Sequence, residues 1–361
     1  MILTRISLTS FRNYAKKAFD IHPYVTLILG ENATGKTNII EAISMTSTGK
    51  SFRAESDREV VRWGEELARV VVRGSEETLE LMITTGEVSG RKAPSKKFLV
   101  NGVSRRAVDF VGNLHSVLFW PEDLELVTDS PSLRRRYLDR VLVQVDREYR
   151  RNLYSYERGL RQRNSLLDRI QEGTASRSQL LFWNQLLIKT GSYITESREA
   201  FLSYVNTCPL EGSSYRIDYD RSVISEARLL QYAEEEVAAG ATLVGPHRDD
   251  MAFMIKNTTK LQLEEYADKF IPLSAYGSRG EQRLGVLWLK LAELSFITEK
   301  TGNRPILLLD DIFSELDEAH KKLILDVVRR QQTVITSAED DVEMLLKEEG
   351  IDYKVIVLPH V

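Results

Sequence analysis

Gly30-Glu31-Asn32-Ala33-Thr34-Gly35-Lys36-Thr37 is the stretch that decides the fold. The apolar run 25–29 before it reads as a short buried strand, and 38–45 after it reads as a helix. Gly-x-x-x-x-Gly-Lys-Thr between a strand and a helix is the context of a phosphate-binding loop. Its successive backbone N–H groups make a concave anion site, and the helix starting near Thr37 turns its positive end toward the phosphates. Lys36 can reach the β- and γ-phosphates, and the Thr37 hydroxyl can ligate Mg²⁺. The loop predicts an ATP-binding protein with an α/β frame.

A second stretch supports that reading. Residues 306–309, Ile-Leu-Leu-Leu, run unbroken into Asp310-Asp311. Such a run suits a central parallel strand buried on both faces, and its C-terminal end is where ligands sit in open α/β sheets. Two carboxylates there are expensive without a cation. Asp310 is expected to hold Mg²⁺ and Asp311 to orient or deprotonate an attacking water. Taken alone, the pair could also be a turn or a helix cap.

A third stretch is Tyr276-Gly277-Ser278-Arg279-Gly280-Glu281-Gln282, followed by an amphipathic run over 284–297 that Gly302 closes. Ser278 and Glu281 have capping-box spacing, which predicts a helix start and a second anion site. A chain with one nucleotide loop has no evident use for a second such site, unless the element contacts a nucleotide held by another copy. A simply capped helix is the bland alternative.

The rest of the chain bounds these readings. Its 361 residues can bury a sizeable core, and 42% hydrophobic with 28% charged residues is the composition of a soluble globular protein. No apolar run reaches the length of a membrane span, and the N-terminus alternates like a strand, unlike a signal peptide. The single cysteine, Cys208, excludes an internal disulfide or a cysteine metal cluster and points to the cytoplasm. Segments 67–73, 78–84 and 97–103 read as strands, with a tight turn at Asn101-Gly102. From about Pro121 the texture becomes helical: 131–206 has almost no glycine or proline, Leu138, Val141, Leu142 and Val145 share one face, and 177–205 reads as a long helix. The chain is expected to return to the α/β frame near 240–250, with further strands at 333–336 and 353–358. The predicted division is therefore an ATPase lobe of 1–120 plus 244–361 and a helical lobe of 121–243.

In motif, order and spacing, 30–37, 278–282, 306–311 and Ser314-Glu315-Leu316-Asp317 resemble the Walker A, signature, Walker B and D-loop elements of the ABC-type ATPases. Further stretches resemble the RecF family of bacterial recombination-repair proteins. These are Leu8-x-x-Phe11-Arg12-Asn13-Tyr14, Ser51-Phe52-Arg53, Pro121-Glu122-Asp123-Leu124, Pro131-x-x-Arg134-Arg135-x-Tyr137-Leu138-Asp139 and above all Gly245-Pro246-His247-Arg248-Asp249-Asp250. The resemblance implies an ABC-type P-loop ATPase head, a mixed sheet with flanking helices and an inserted helical lobe. It implies ATP sandwiched in a homodimer, with Ser278, Gly280 and Gln282 of one protomer and the D-loop residues Ser314 and Asp317 completing the site of the other. It also implies binding of DNA, as duplex or at a single/double-strand junction, and work with RecO- and RecR-type mediators in loading recombinase at gapped DNA during repair, replication and the SOS response.

Some positions depart from the wider superfamily. Ala33 stands where glycine is common, which matters little if its φ is negative. Asp311 is shorter than glutamate, Thr336-Ser337 carries no switch histidine, and no glutamine near Val117 fits a Q-loop. These last three point to slow hydrolysis, or to another residue helping to orient water; the resemblance implies a weak ATPase stimulated by DNA. The other readings are a transporter ATPase subunit, which the missing histidine disfavours, and a small-molecule kinase, which leaves 278–282 unexplained.

Between Arg134 and Arg177 lie twelve arginines against six acids and no lysine, in a chain of net charge −4, with Tyr137, Tyr149, Tyr154 and Tyr156 interleaved. Arginine suits phosphate through bidentate contact, so Arg134, Arg135, Arg136, Arg150 and Arg151 are candidate DNA contacts. Charge runs on helices are more often solvated faces, and 134–136 can instead be structural or dimer contacts. His247 reads as a residue of a loop joining the lobes.

Overall fold

The computed structural model describes residues 1–210, 214–257 and 269–359. They form two compact units, Met1–Asp123 with Ile297–Val361, and Leu124–Phe296.

The first unit carries two large sheets and a two-stranded ribbon, Glu87–Val88 with Arg91–Lys92. A five-stranded parallel sheet has the order Ser116–Phe119, Ile306–Asp310, Thr333–Ser337, Val25–Leu29, Tyr353–Val357. Its three central strands are buried at every position, as strands covered on both faces are, with Thr26, Thr333, Thr336 and Ser337 among the buried residues. Ser116–Phe119 lies beside Ile306–Asp310, although its four residues are too short to stand out in the sequence. A six-stranded antiparallel sheet runs Tyr14–Asp20, Leu3–Phe11, Leu67–Gly74, Thr78–Thr84, Lys96–Val100, Val103–Arg105. The expected turn at Asn101-Gly102 closes its last hairpin, with both residues at positive φ (51° and 77°) and Val100 paired to Val103. The helix Lys36–Thr48 follows the phosphate loop and buries Ile39, Ile40, Ala42, Ile43 and Met45.

The second unit is built on three helices, Pro131–Val145, Arg147–Gln171 and Leu180–Thr207. Leu138, Val141 and Leu142 are buried on the expected face of the first. Asp146 separates the first two helices and caps the second, accepting from the Glu148 and Tyr149 amides.

The boundary expected after residue 243 falls instead between 296 and 297. The cause is a small antiparallel sheet, Tyr215–Asp220, Asp250–Lys256 and Phe270–Pro272. Its inward residues Tyr215, Ile217, Met251, Phe253 and Ile255 share one core with Tyr137, Phe201 and, from the helix Arg279–Thr301, Trp288, Leu289 and Phe296. The stretch at 278–282 accordingly belongs to the helical unit, not to the unit with the phosphate loop.

Residues 245–250 hold this unit together from inside. Asp249 has no exposure and accepts from Arg198 (3.1 Å), the Ser222 amide (2.7 Å) and the Tyr219 hydroxyl. Arg198 also reaches Asp139 (2.7 Å), the Pro246 carbonyl (2.7 Å) and the Tyr149 hydroxyl (3.2 Å). His247 is packed within the unit rather than in a joining loop. Its Nε2 faces the Thr242 carbonyl at 3.0 Å, so Nε2 carries the proton and Nδ1 accepts from the Tyr156 hydroxyl at 2.7 Å. Burial pushes its pKa down to about 4, against the Thr242 hydrogen bond and with the positive charges of Arg248 and Arg135.

A histidine whose folded pKa lies below its unfolded value gives stability that is complete above pH 6.5 and is lost as pH falls toward 4. The loss attributable to His247 is about 3 kcal/mol. Urea midpoints measured from pH 7.5 to 4 should therefore fall more steeply for the wild type than for His247→Gln, and parallel profiles would contradict this packing.

Candidate functional site

The phosphate loop has the shape its sequence predicts. Gly35 sits at φ 104°, where an added Cβ would also lie 2.6 Å from Asn13 Nδ2 and 2.8 Å from the Tyr14 hydroxyl. The N-terminus of the Lys36–Thr48 helix has no side-chain cap and no acid in its first turn, so its amides are left to an anion. Lys36 Nζ donates to the Gly30 and Glu31 carbonyls at 2.6 and 2.9 Å. Burial lowers its pKa, opposed by the charges of Asp311 and then Asp310. Glu31, Asn32 and Ala33 are exposed at the loop's crest, and the Thr34 hydroxyl closes back on the Glu31 carbonyl at 2.8 Å.

Ala33 does not meet the condition of a negative φ under which the alanine would matter little: it lies at 68°. A Cβ in that left-handed region costs about 1–2 kcal/mol, which explains why glycine is common at this position.

Asp310 ends its strand facing the loop. Thr37 donates to its Oδ1 at 3.1 Å and Thr336 to the same oxygen at 2.6 Å. Burial pushes its pKa up, the Thr336 and Thr37 hydroxyls pull it down, and the Asp311 charge pushes it up again; the net shift is upward. A buried carboxylate next to a second acid and beside a threonine hydroxyl fits a hard cation. Asp311 is held at φ 54°, its amide donating to the Thr336 carbonyl (3.2 Å) and hydroxyl (3.1 Å). Thr336 thus bonds to the Asp310 carboxylate and to the main-chain amide of Asp311 from the place where a switch histidine is missing. The sequence marked only the absence of histidine there; the threonine's role depends on the parallel register that sets Asp310 against Thr336.

Arg12-Asn13-Tyr14 is a second element the residues alone did not assign. Asn13 Nδ2 donates to the Thr34 carbonyl at 3.2 Å, and the Tyr14 hydroxyl to the Gly35 carbonyl at 3.1 Å. Arg12 binds Glu41 with two bonds (2.9 and 2.6 Å), and Arg53 binds it from Nε at 3.1 Å and Nη2 at 2.9 Å. Ser51 adds a hydroxyl at 2.6 Å. Glu41 has no exposure; burial raises its pKa, and the bonds from Arg12, Arg53 and Ser51 with the Arg53 charge outweigh that, leaving it lowered.

In the helical unit, the predicted capping box forms. Ser278 donates to Glu281 Oε2 through both its amide and its hydroxyl (2.8 Å each), and the Glu281 amide returns to Ser278 Oγ at 3.3 Å. Ser278 and Gly280 are exposed, and a Cβ on Gly280 would meet open space. Gln282 differs. It is 5% exposed, and its amide donates to the Leu273 and Gly277 carbonyls at 3.3 Å, so it braces the preceding turn from inside and presents nothing outward. Ser314 is exposed and donates to the Asp311 carbonyl at 2.9 Å, while Asp317 caps the helix Glu318–Val328 through the His320 amide at 3.0 Å.

The arginine candidates divide. Arg134 is buried, pairing with Asp250 at 2.7 and 3.0 Å and reaching the Asp129 carbonyl at 2.6 Å. Arg150 caps the preceding helix at the Val143 carbonyl, 2.6 Å, and Arg135 reaches the Asp249 carbonyl at 2.8 Å. Arg134 and Arg150 are thus structural, satisfying buried acceptors, and only Arg136 and Arg151 of the five are exposed. No described helix is long and apolar enough to cross a membrane.

Comparisons agree with this geometry. The sequence profile of the RecF/RecN/SMC N terminal domain matches residues 2–351. The DNA replication and repair protein RecF of Roseiflexus castenholzii is 35% identical, covering 94% of both chains, and that of Geobacillus kaustophilus is 36% identical, covering 98% of both. A solved structure of the recombination mediator protein RecF-ATPrS in the RecFOR pathway superposes with a TM-score of 0.81 at 29% identity, covering 99% of this chain and 97% of that one. A second, of RecF-ATP, gives 0.80 at 30% identity over 94% and 92%. An Smc head bound to the C-winged helix domain of ScpA, at 16% identity and TM-score 0.50 over 99% and 94%, shares the fold alone.

Two substitutions probe the site. Ala33→Gly should raise stability by about 1 kcal/mol, read as a higher thermal midpoint, and Ala33→Val should lower it. Glu41→Ala, which strands two guanidinium groups beside a buried gap, should cost about 3–5 kcal/mol in denaturant titration; a loss under 1 kcal/mol would show that the cluster does not organise the loop.

Proposed function

The chain belongs to the RecF/RecN/SMC N-terminal domain family, and within it to the RecF proteins of DNA replication and repair, and on that premise we propose that it is a cytoplasmic, ATP-switched DNA-binding protein that dimerises on ATP. The observation that carries the reading is the apposition of the phosphate loop and the acidic strand end, with Thr37 bonded to Asp310 at 3.1 Å.

The loop amides and the helix start would hold the triphosphate, and Lys36 would exchange its bonds to Gly30 and Glu31 for phosphate oxygens. Asp310 and Thr37 would hold Mg²⁺, which when bound supplies positive charge against the phosphates. Asp311, fixed at the strand end by Thr336, would orient water or take its proton. Its short side chain and the absent histidine support slow turnover, so that ATP acts chiefly as a switch.

Ser278 and Gly280, exposed at the start of a long helix, would face the γ-phosphate on a second protomer, and Ser314 would approach the same interface. Gln282 would keep this turn in shape. The relatives' place in the RecFOR pathway supports RecO- and RecR-type partners and duplex or junction DNA as ligand.

Light scattering with ATP and Mg²⁺ should show a monomer–dimer shift that Lys36→Ala abolishes together with ATP binding. Ser278→Arg should bind ATP normally and remain monomeric, and its normal dimerisation would sink the shared site. ATPase rate should rise more than linearly with protein concentration.

A further inference from the structure

The helix Arg147–Gln171 sorts its arginines by phase. Arg163 and Gly159 turn inward; Arg163 is 2% exposed and bonded to Glu236, Thr242 and Asn184. Arg147, Arg151, Tyr154, Arg158, Arg161, Ser165 and Arg169 are all exposed. At 100° per residue these seven positions fall within about 80° of one another on the helix surface, one continuous stripe. From Arg147 to Arg169 the stripe is about 33 Å long. Arg151 pairs loosely with Glu148 at 3.3 Å, while Arg158, Arg161 and Arg169 make no side-chain ion pair among the described residues. Three other exposed arginines of this unit are matched to acids: Arg177 to Glu234, Arg216 to Asp218 and Arg221 to Glu199.

We propose that this arginine stripe is the surface on which the chain receives the phosphate backbone of duplex DNA. It rests on the DNA-binding reading above and gives that reading a place. Three features favour duplex. The cations are all arginine, whose planar fork takes phosphate oxygens in pairs. They stand on a rigid helix, and Arg151, Arg158 and Arg169 follow one another at steps of about 10–16 Å, comparable to the width of a major groove, so one helix can bridge phosphates of both strands. Single-strand surfaces instead need a series of aromatic platforms, and this stripe has one exposed ring, Tyr154. Contact of this kind carries no base information, so binding is sequence-independent and strongly salt-dependent.

The test uses the full chain with ATP and a labelled 30-base-pair duplex, with anisotropy measured from 50 to 250 mM salt. The combined variant Arg158→Ala, Arg161→Ala and Arg169→Ala should bind duplex at least about tenfold more weakly at 100 mM salt, and its slope of log affinity against log salt should be shallower by about 2–3. Alanine favours helix at these exposed positions, and circular dichroism with ATP-driven dimerisation should be unchanged. The control Arg177→Ala, Arg216→Ala and Arg221→Ala removes equal charge from the same unit and should keep the wild-type slope. A stripe variant with wild-type affinity and slope, or one that loses only single-strand binding, overturns the proposal while leaving the DNA-binding reading standing. A wild type that does not bind duplex with ATP removes both.

Discussion

Glu41 has no contact with water, and the form of the phosphate loop follows from how its charge is met. A carboxylate in that position is tolerable only if fully paired and hydrogen-bonded. Arg12 supplies partners from one segment, and Ser51 and Arg53 from another. Arg12 brings Asn13 and Tyr14 with it, and those two bond the carbonyls of Thr34 and Gly35. The loop is therefore clamped from outside by the edge of the antiparallel sheet and from below by its own helix. A glycine-rich loop left to itself would sample many conformations. Here the amides that would meet phosphate are fixed beforehand, so less of the binding energy goes into ordering them.

The helical unit obeys the same rule with different residues. Asp249 and Glu236 are without exposure, and Arg198 and Arg163 neutralise them. Part of what looks in the sequence like a nucleic-acid signature is consumed by such internal bonding. Arg134, Arg150 and Arg163 satisfy buried acceptors. What is left outside is narrower than the count of arginines suggests, but it is ordered along one helix face. Total charge was a poor guide in both directions, because net charge averages over the whole chain and a local surplus includes arginines that never meet solvent.

Much of the local structure was legible. The loop, the buried strand ending in Asp310, the hairpin at Asn101-Gly102 and the capping box at Ser278–Glu281 are local patterns, and each formed where it was expected. The reading was weakest where identity depended on distant partners. The boundary moved from 243 to 296 because the pairing of 215–220 with 250–256 joins segments separated by a helical stretch. Gln282 went inward because the turn at 273–277 turns the Leu273 and Gly277 carbonyls toward it. The sign of φ at Ala33 could not be inferred from an alanine, since nothing in that residue type announces a left-handed backbone.

By itself the sequence determined the chemistry of the site: the glycine spacing, the lysine and threonine at its end, and two acids closing an apolar strand leave few folds and one kind of ligand, because each is a short-range requirement of backbone geometry or charge. Only the tertiary structure decided which residues act on that site and which merely hold it. Thr336 became a partner of the Asp310 carboxylate and the Asp311 amide through strand register, and Asn13 and Tyr14 became part of the loop through a sheet edge. The arginines divided between core and surface through helix phase and the position of buried carboxylates. Those outcomes depend on contacts between residues far apart in the chain, for which no local pattern exists.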